Sequence, residues 1–397
     1  MKKLNQLLAL FLLLISIPSF SQSLVWEQDT GAAIHASPEI EDEYLYVGNA
    51  QGIFFKLDQN TGEVIWKYDS KAPIFSDAAV WNDLVLFSNE KGNLIALKKD
   101  SGKLEWIASG NPTQAIDLWD YYRAGPVAGK DKIYWGTEDG NLVALEPNTG
   151  KVIWDFPTNG AIHMSPVLVD NKALVGNFKG KVFAIDANTG SQIWTYQAKG
   201  SEYFPDAEFQ KTPTVAQGKV YIGSRDTRLY VLDLETGKEI WDFTETGGSW
   251  IIASPLIFQD KVFFGSSDTY KFYALDRNSG EEIWSIRTFT RSYATPIPYQ
   301  NTVLMAGFDG KIRAIEAKSG EIIWEYQTAT SKFNFGNLYN PEGKFRNDLT
   351  INSAEEGEAL INSLGPIINT PAIKDNILFF TSLDGKVYAI GLEDVNT

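Results

Sequence analysis

The chain has 397 residues, 35 Lys and Arg against 50 Asp and Glu for a formal net charge of −15, and no cysteine. Without cysteine there is no disulfide, thiolate metal site or lipid-modified cysteine. So acidic a surface repels phosphate backbones and excludes nucleic acid as a partner.

Residues 1–21 carry the pattern of a secretory signal: Lys2 and Lys3, an apolar core from Leu7 to Ile17, and small residues at Ser19 and Ser21. The core is too short to span a bilayer. Removing the segment takes away two lysines and no acids, moving the charge from −15 to about −17. The expected product is periplasmic or secreted, not a lipoprotein, with no direct membrane anchor, and acts as a monomer.

From there the chain repeats itself. Trp26, Trp66, Trp106, Trp154, Trp194, Trp241, Trp284 and Trp324 follow one another at gaps of 40, 40, 48, 40, 47, 43 and 40. All but Trp26 close a small-Gly-x-x-x-Trp phrase, as in NTGEVIW at Trp66 and NTGSQIW at Trp194. A period near 40 with four short strands per unit predicts propeller blades. The clearest unit runs from Pro166 to Trp194 and divides into strands SPVLV, ALVG, KVFAID and QIWTY, separated by Asn, Asp and Gly turns. The spacing from the first-strand proline to its tryptophan is 28 from Pro38, Pro126, Pro166, Pro213 and Pro296, and 29 from Pro255. Ala78 replaces proline in the second unit, again 28 before Trp106.

The last unit begins at Pro371 and runs out of chain before its tryptophan, whereas Trp26 has no strands of its own before it. The two ends complete each other. The expected fold is all-β: one domain over 22–397, an eight-bladed β-propeller of four-stranded antiparallel blades, with the N-terminal strand closing the last blade and leaving no open sheet edge. The eight tryptophans are read as structural, filling the wedges between blades.

The links from one unit's tryptophan to the next unit's proline carry the variation. They are 12 long in the regular copies, 14 before Pro255, 19 before Pro213, 20 before Pro126 and 47 before Pro371. All join the outermost strand of one blade to the innermost strand of the next, so the insertions 107–125, 195–212 and 325–370 emerge on one face, the usual binding face of a repeat protein. Candidate contact residues there are Trp119, Tyr121, Tyr122, Arg123, Tyr203, Phe204 and Phe335, with Trp250, Arg291 and Tyr293 on shorter links. Aromatics beside arginine suit a protein hot spot or sugar stacking, and they equally suit loops pinned to the disc. His35 and His163 share one repeat position, three before the proline, at the channel mouth. They join the candidate set, but lie three blades apart and do not share a metal, so a structural role is the plainer one. No catalytic or metal-binding motif stands in the chain.

The repeat, small-Pro-x-ϕ…ϕ-ϕ-x-G…G-x-ϕ-x-A-ϕ-D…T-G-x-x-x-W, resembles the pyrroloquinoline-quinone-like propeller repeat over the whole mature chain. That repeat is shared by quinone-dependent dehydrogenases and by BamB-type outer-membrane assembly propellers. The first resemblance implies a quinone and calcium; yet the vicinal cysteine pair of many such enzymes is absent, and their calcium-binding Glu, Asn and Asp find no motif here. The second implies a non-catalytic scaffold for an envelope protein, with no cofactor and no metal. A carbohydrate-active or carbohydrate-binding propeller acting on an acidic polysaccharide is the remaining alternative.

Overall fold

Each repeat folds as one four-stranded antiparallel sheet because its runs are short, alternate in polarity and end in tight turns. The computed structural model describes residues 22–392; the expected signal at 1–21 lies outside the described residues. Among these, eight four-stranded sheets form a ring. Blade 1 comprises strands A to D at Glu39–Glu41, Tyr44–Gly48, Ile53–Asp58 and Val64–Asp69. Strand A lines the channel and strand D the rim. Strands B and C are buried almost throughout, and strand D shows the outward pattern of an edge.

The ring closes as the incomplete ends require. Strand Ser23–Asp29 pairs antiparallel with Lys386–Gly391, so that blade 8 takes its outer strand from the N-terminus. Trp26 lies opposite Ala389, as Trp154, Trp194 and Trp324 lie opposite Ala144, Ala184 and Ala314. The alanine of the A-ϕ-D phrase is thus the small cross-strand partner of the indole.

The tryptophans act between blades. Trp26 Nε1 donates to Gln59 O at 3.0 Å, Trp66 to Lys99 O at 3.0 Å and Trp194 to Leu234 O at 2.9 Å, each carbonyl being in the next blade. The ring lies on the next blade's T-G turn. A Cβ on Gly102 would fall 2.8 Å from the Trp66 ring, and one on Gly237 2.5 Å from that of Trp194. With φ of +65° and +68°, both glycines also hold a conformation that L side chains resist. The glycine in each phrase therefore receives the preceding blade's tryptophan, while the tryptophan four residues later serves the following one. Asp58 caps the same turn in blade 1, accepting from the N–H groups of Asn60 and Thr61 at 2.8 and 2.9 Å.

A second belt runs around the channel at the residue before each proline. Ser37 N–H donates to Asp77 Oδ1 (2.6 Å), Gly125 N–H to Ser165 Oγ (3.1 Å), Thr212 Oγ1 to Ser165 O (3.2 Å) and Ser254 Oγ to Thr212 O (2.5 Å). Small polar residues at this position tie neighbouring blades at the hub as the tryptophans tie them at the rim.

Candidate functional site

The insertion 107–125 leaves the outer strand of blade 2 and crosses the channel mouth before entering blade 3. Asp117 accepts both guanidinium nitrogens of Arg225, in blade 5, at 2.6 and 3.1 Å. Tyr122 OH donates to Ile368 O at 2.9 Å, on the entrance to blade 8. His35, before blade 1, places Nδ1 3.2 Å from Tyr121 O. Tyr121, Tyr122, Trp250, Ile252, Tyr293, Phe308 and Ile368 pack as one buried cluster, with Trp119 and Phe204 against it. The segment is an aromatic plug on the channel.

The insertion 325–370 lies over this plug. It contains helix α1, Ala329–Asn334, and helix α2, Ala354–Asn362, capped by the side chains of Thr328 and Ser353 respectively. The S-x-x-E order at Ser353 and Glu356 is a helix-start signal in the sequence. Glu358 on α2 joins the layers: it accepts from Trp119 Nε1 (2.8 Å), Tyr121 OH (3.0 Å) and Arg291 Nη1 (2.5 Å). Burying one carboxylate with three donors fixes both insertions to blade 7.

Beneath the plug sits a charged cluster. His163 places Nδ1 2.9 Å from Asp120 Oδ1 and Nε2 2.8 Å from Glu138 Oε2. Arg123 lies 3.2 Å from Asp120 and 3.1 Å from Glu90. Burial works against charge on His163, but its hydrogen bonds to Asp120 and Glu138 outweigh that and raise its pKa. Burial likewise opposes charge on Asp120; the hydrogen bond and charge of His163, with Arg123, hold the carboxyl below its ordinary value. His35 is the opposite case. Burial lowers it to about 4, so it stays neutral and donates from Nδ1 to Tyr121 O.

A raised histidine pKa stabilises the folded state below the unfolded pKa of about 6.5 and loses that contribution as pH rises through the folded value. The melting temperature of the protein over that of H163Q should therefore be greatest near pH ~6 and shrink towards pH ~9. A difference independent of pH would show that the ring is not held as an imidazolium.

The structure thus divides the sequence-derived candidates. Tyr121, Tyr122, Trp250 and Tyr293 are buried in the plug, and Arg123 and His163 are buried in the charged cluster beneath it. Trp119, Phe204, Arg291, Phe335 and His35 are partly buried; Arg291 is paired with Asp268 and Glu358, and Phe335 stacks on Tyr339 at 4.6 Å. Only Tyr203 stands out in solvent, at 82% exposure. Residues at this face that the sequence reasoning missed are Ile116, Leu118 and Ile351, all exposed; being apolar on insertions was their one signal. Among the described residues, every exposed large apolar residue outside the outer strands lies on the three insertions: Ile116, Leu118, Tyr203, Phe333 and Ile351.

An eight-bladed ring whose tryptophans dock on the glycine turns of the next blade defines the class, a propeller of PQQ-like repeats. The chain belongs to the family described as outer membrane protein assembly factor BamB, whose model matches residues 16–243 and 225–342. Among solved structures, BamB from Moraxella catarrhalis superposes with a TM-score of 0.71 at 19% identity, covering 94% of this chain and 100% of that one. The quinohemoprotein alcohol dehydrogenase ADHIIG from Pseudomonas putida HK5 gives 0.70 at 14% identity, covering 94% and 76%. The computationally designed Ika8 protein gives 0.69 at 17%, covering 94% and 100%. At these identities the likeness is one of fold. No curated protein sequence matches the chain.

Proposed function

We propose that this chain is an exported, non-catalytic scaffold of the cell envelope that serves outer-membrane protein assembly by holding a protein partner on its insertion face. The observation that carries this reading is that, among the described residues, exposed large apolar side chains outside the rim strands are confined to the three insertions. Apolar side chains displayed on a braced platform are what a protein partner buries. The family to which the chain belongs supports the envelope setting and the assembly role.

The scaffold reading calls for neither a quinone nor calcium. Among the described residues no group of three or more His, Cys, Asp or Glu is arranged to hold a metal. The channel mouth on the insertion face is filled by Tyr121, Tyr122 and Tyr293.

One observation favours a second reading, saccharide binding. Phe335, Tyr339 and Phe345 stack at 4.6 and 5.0 Å beside a cavity of about 650 Å³ whose other walls include Asn340, Lys344, Arg346 and Asp348. Capture from envelope extract beside an oligosaccharide array separates the two. Alanine at Tyr203 and Phe333 should reduce retention of an envelope protein by tenfold or more, since an anchor carries about 2 kcal/mol, while the melting temperature hardly moves. Glycan retention abolished by F335A would select the second reading. Undiminished protein capture by the double variant would place the partner surface elsewhere.

A further inference from the structure

The hub of the ring holds an open cavity of about 390 Å³, walled by the residues at the starts of the eight A strands. Its walls include Glu39, Asp77, Ser165, Lys211, Thr214 and Thr295. Lys211 is the anomaly. It stands two residues before Pro213, a repeat position that Ala36, Ala124, Ala253 and Ala294 hold in four other blades. Its ammonium lies 4.0 Å from the centre of the Tyr122 ring, directly under the plug. Among the described residues it has neither a hydrogen-bond acceptor nor an ion-pair partner. Asp77 is near enough to favour its charge, but Asp77 Oδ1 is taken by the Ser37 N–H at 2.6 Å. The ammonium, stacked on the Tyr122 ring, thus faces the cavity with no protein anion bonded to it, and an anionic group placed there would meet its charge.

The other walls specify the rest of the occupant. The hydroxyls of Thr212, Thr214 and Ser254 spend their protons on carbonyls of neighbouring blades. Towards the cavity they offer lone pairs, as do the carboxyls of Asp77 and Glu39 while ionised. The site therefore supplies one cation and several acceptors. Its volume holds about a dozen waters at ~30 Å³ each, or one molecule of monosaccharide size. The plug closes the mouth on the insertion face, so entry is from the face of the hairpin turns.

We propose that the hub cavity binds a small carboxylate rich in hydrogen-bond donors, such as a polyhydroxy or amino acid, with its carboxylate on Lys211 and its donors on Asp77, Glu39 and the threonine and serine oxygens. Titration is consistent with this. Burial lowers Lys211 to about 8, leaving it charged at neutral pH, and raises Glu39 to about 7, with the charges of Asp77 and Glu41 adding to the rise. The site is independent of the proposed partner face, because it lies on the other side of the plug.

Calorimetry with three probes tests the proposal: gluconate, which has both the charge and the donors; acetate, which has the charge alone; and glucose, which has the donors alone. Gluconate should bind the protein at least tenfold more tightly than either of the others, and K211M should lose that advantage. K211M should also keep its melting temperature and its capture of the envelope partner, which separates this site from the partner face. Should K211M unfold, K211R, which keeps the charge but changes its reach, takes its place and should bind gluconate measurably but more weakly. Absence of gluconate binding to the unaltered protein, equal binding by K211M, or acetate binding as tight as gluconate would each overturn the proposal.

Discussion

Deleting residues 22–29 should open the ring and cost the protein most of its stability. The segment is the outer strand of blade 8, paired along its length with Lys386–Gly391. It also carries Trp26, whose indole lies on the Gly62 turn of blade 1 and donates to Gln59 O at 3.0 Å. Removing the tryptophan alone leaves a core-sized void worth about 3–5 kcal/mol, and the strand's hydrogen bonds and the newly bared edge of Lys386–Gly391 add to that. Against a typical domain stability of about 5–15 kcal/mol, the loss is most of the reserve. The truncated chain should melt far below the full one, and should self-associate through the exposed edge on size-exclusion chromatography. W26A should show the first defect without the second. A synthetic peptide of residues 22–29 added in trans should restore part of the melting temperature. Equal melting temperatures for truncated and intact chains would show that the ring holds without its strand closure.

The second large effect concerns the contact between blades 4 and 5. W194A should destabilise by about 3–5 kcal/mol through the void it leaves. G237A forces a Cβ to within 2.5 Å of that indole at a φ of +68°, so it combines a clash with backbone strain. In the double variant the clash has nothing left to meet. The two losses should therefore fall short of additivity by at least ~1 kcal/mol in denaturant titrations, the mark of residues in direct contact. Losses that add within ~0.5 kcal/mol would show that the ring and the turn are energetically independent.

Much of the architecture was legible in the chain because it is written in local, repeated chemistry. The small-Gly-x-x-x-Trp phrase fixes a turn with positive φ, an outer strand and a bulky side chain at one offset, seven times over, and Trp26 adds an eighth tryptophan on the same period. Its period, with the half-units at the two ends, specified blade count and closure. The docking of each tryptophan on the following blade was not written locally, because the glycine that receives Trp194 is Gly237, in another repeat.

At the channel mouth the sequence marked the variable residues and left their roles open. Trp119, Tyr121 and Tyr122 are aromatic whether they meet a partner or fill a plug. What decides is Glu358, more than 230 residues away, which accepts from Trp119 and Tyr121. Burial of that kind depends on how two insertions of unequal length fold over one another, and no period or motif encodes it. The same holds for His163 and His35: one repeat position, opposite pKa shifts, with Asp120 and Glu138 around the first and Phe75 and a backbone carbonyl beside the second. Lys211 was a lysine in a link until the ring placed its ammonium under Tyr122 without an anion. The sequence by itself determined the ring, its eight blades and the face that varies, since those follow from short-range periodicity. Only the tertiary structure decided which side chains on that face are buried and which are offered, because burial is a property of what distant segments bring to the same place.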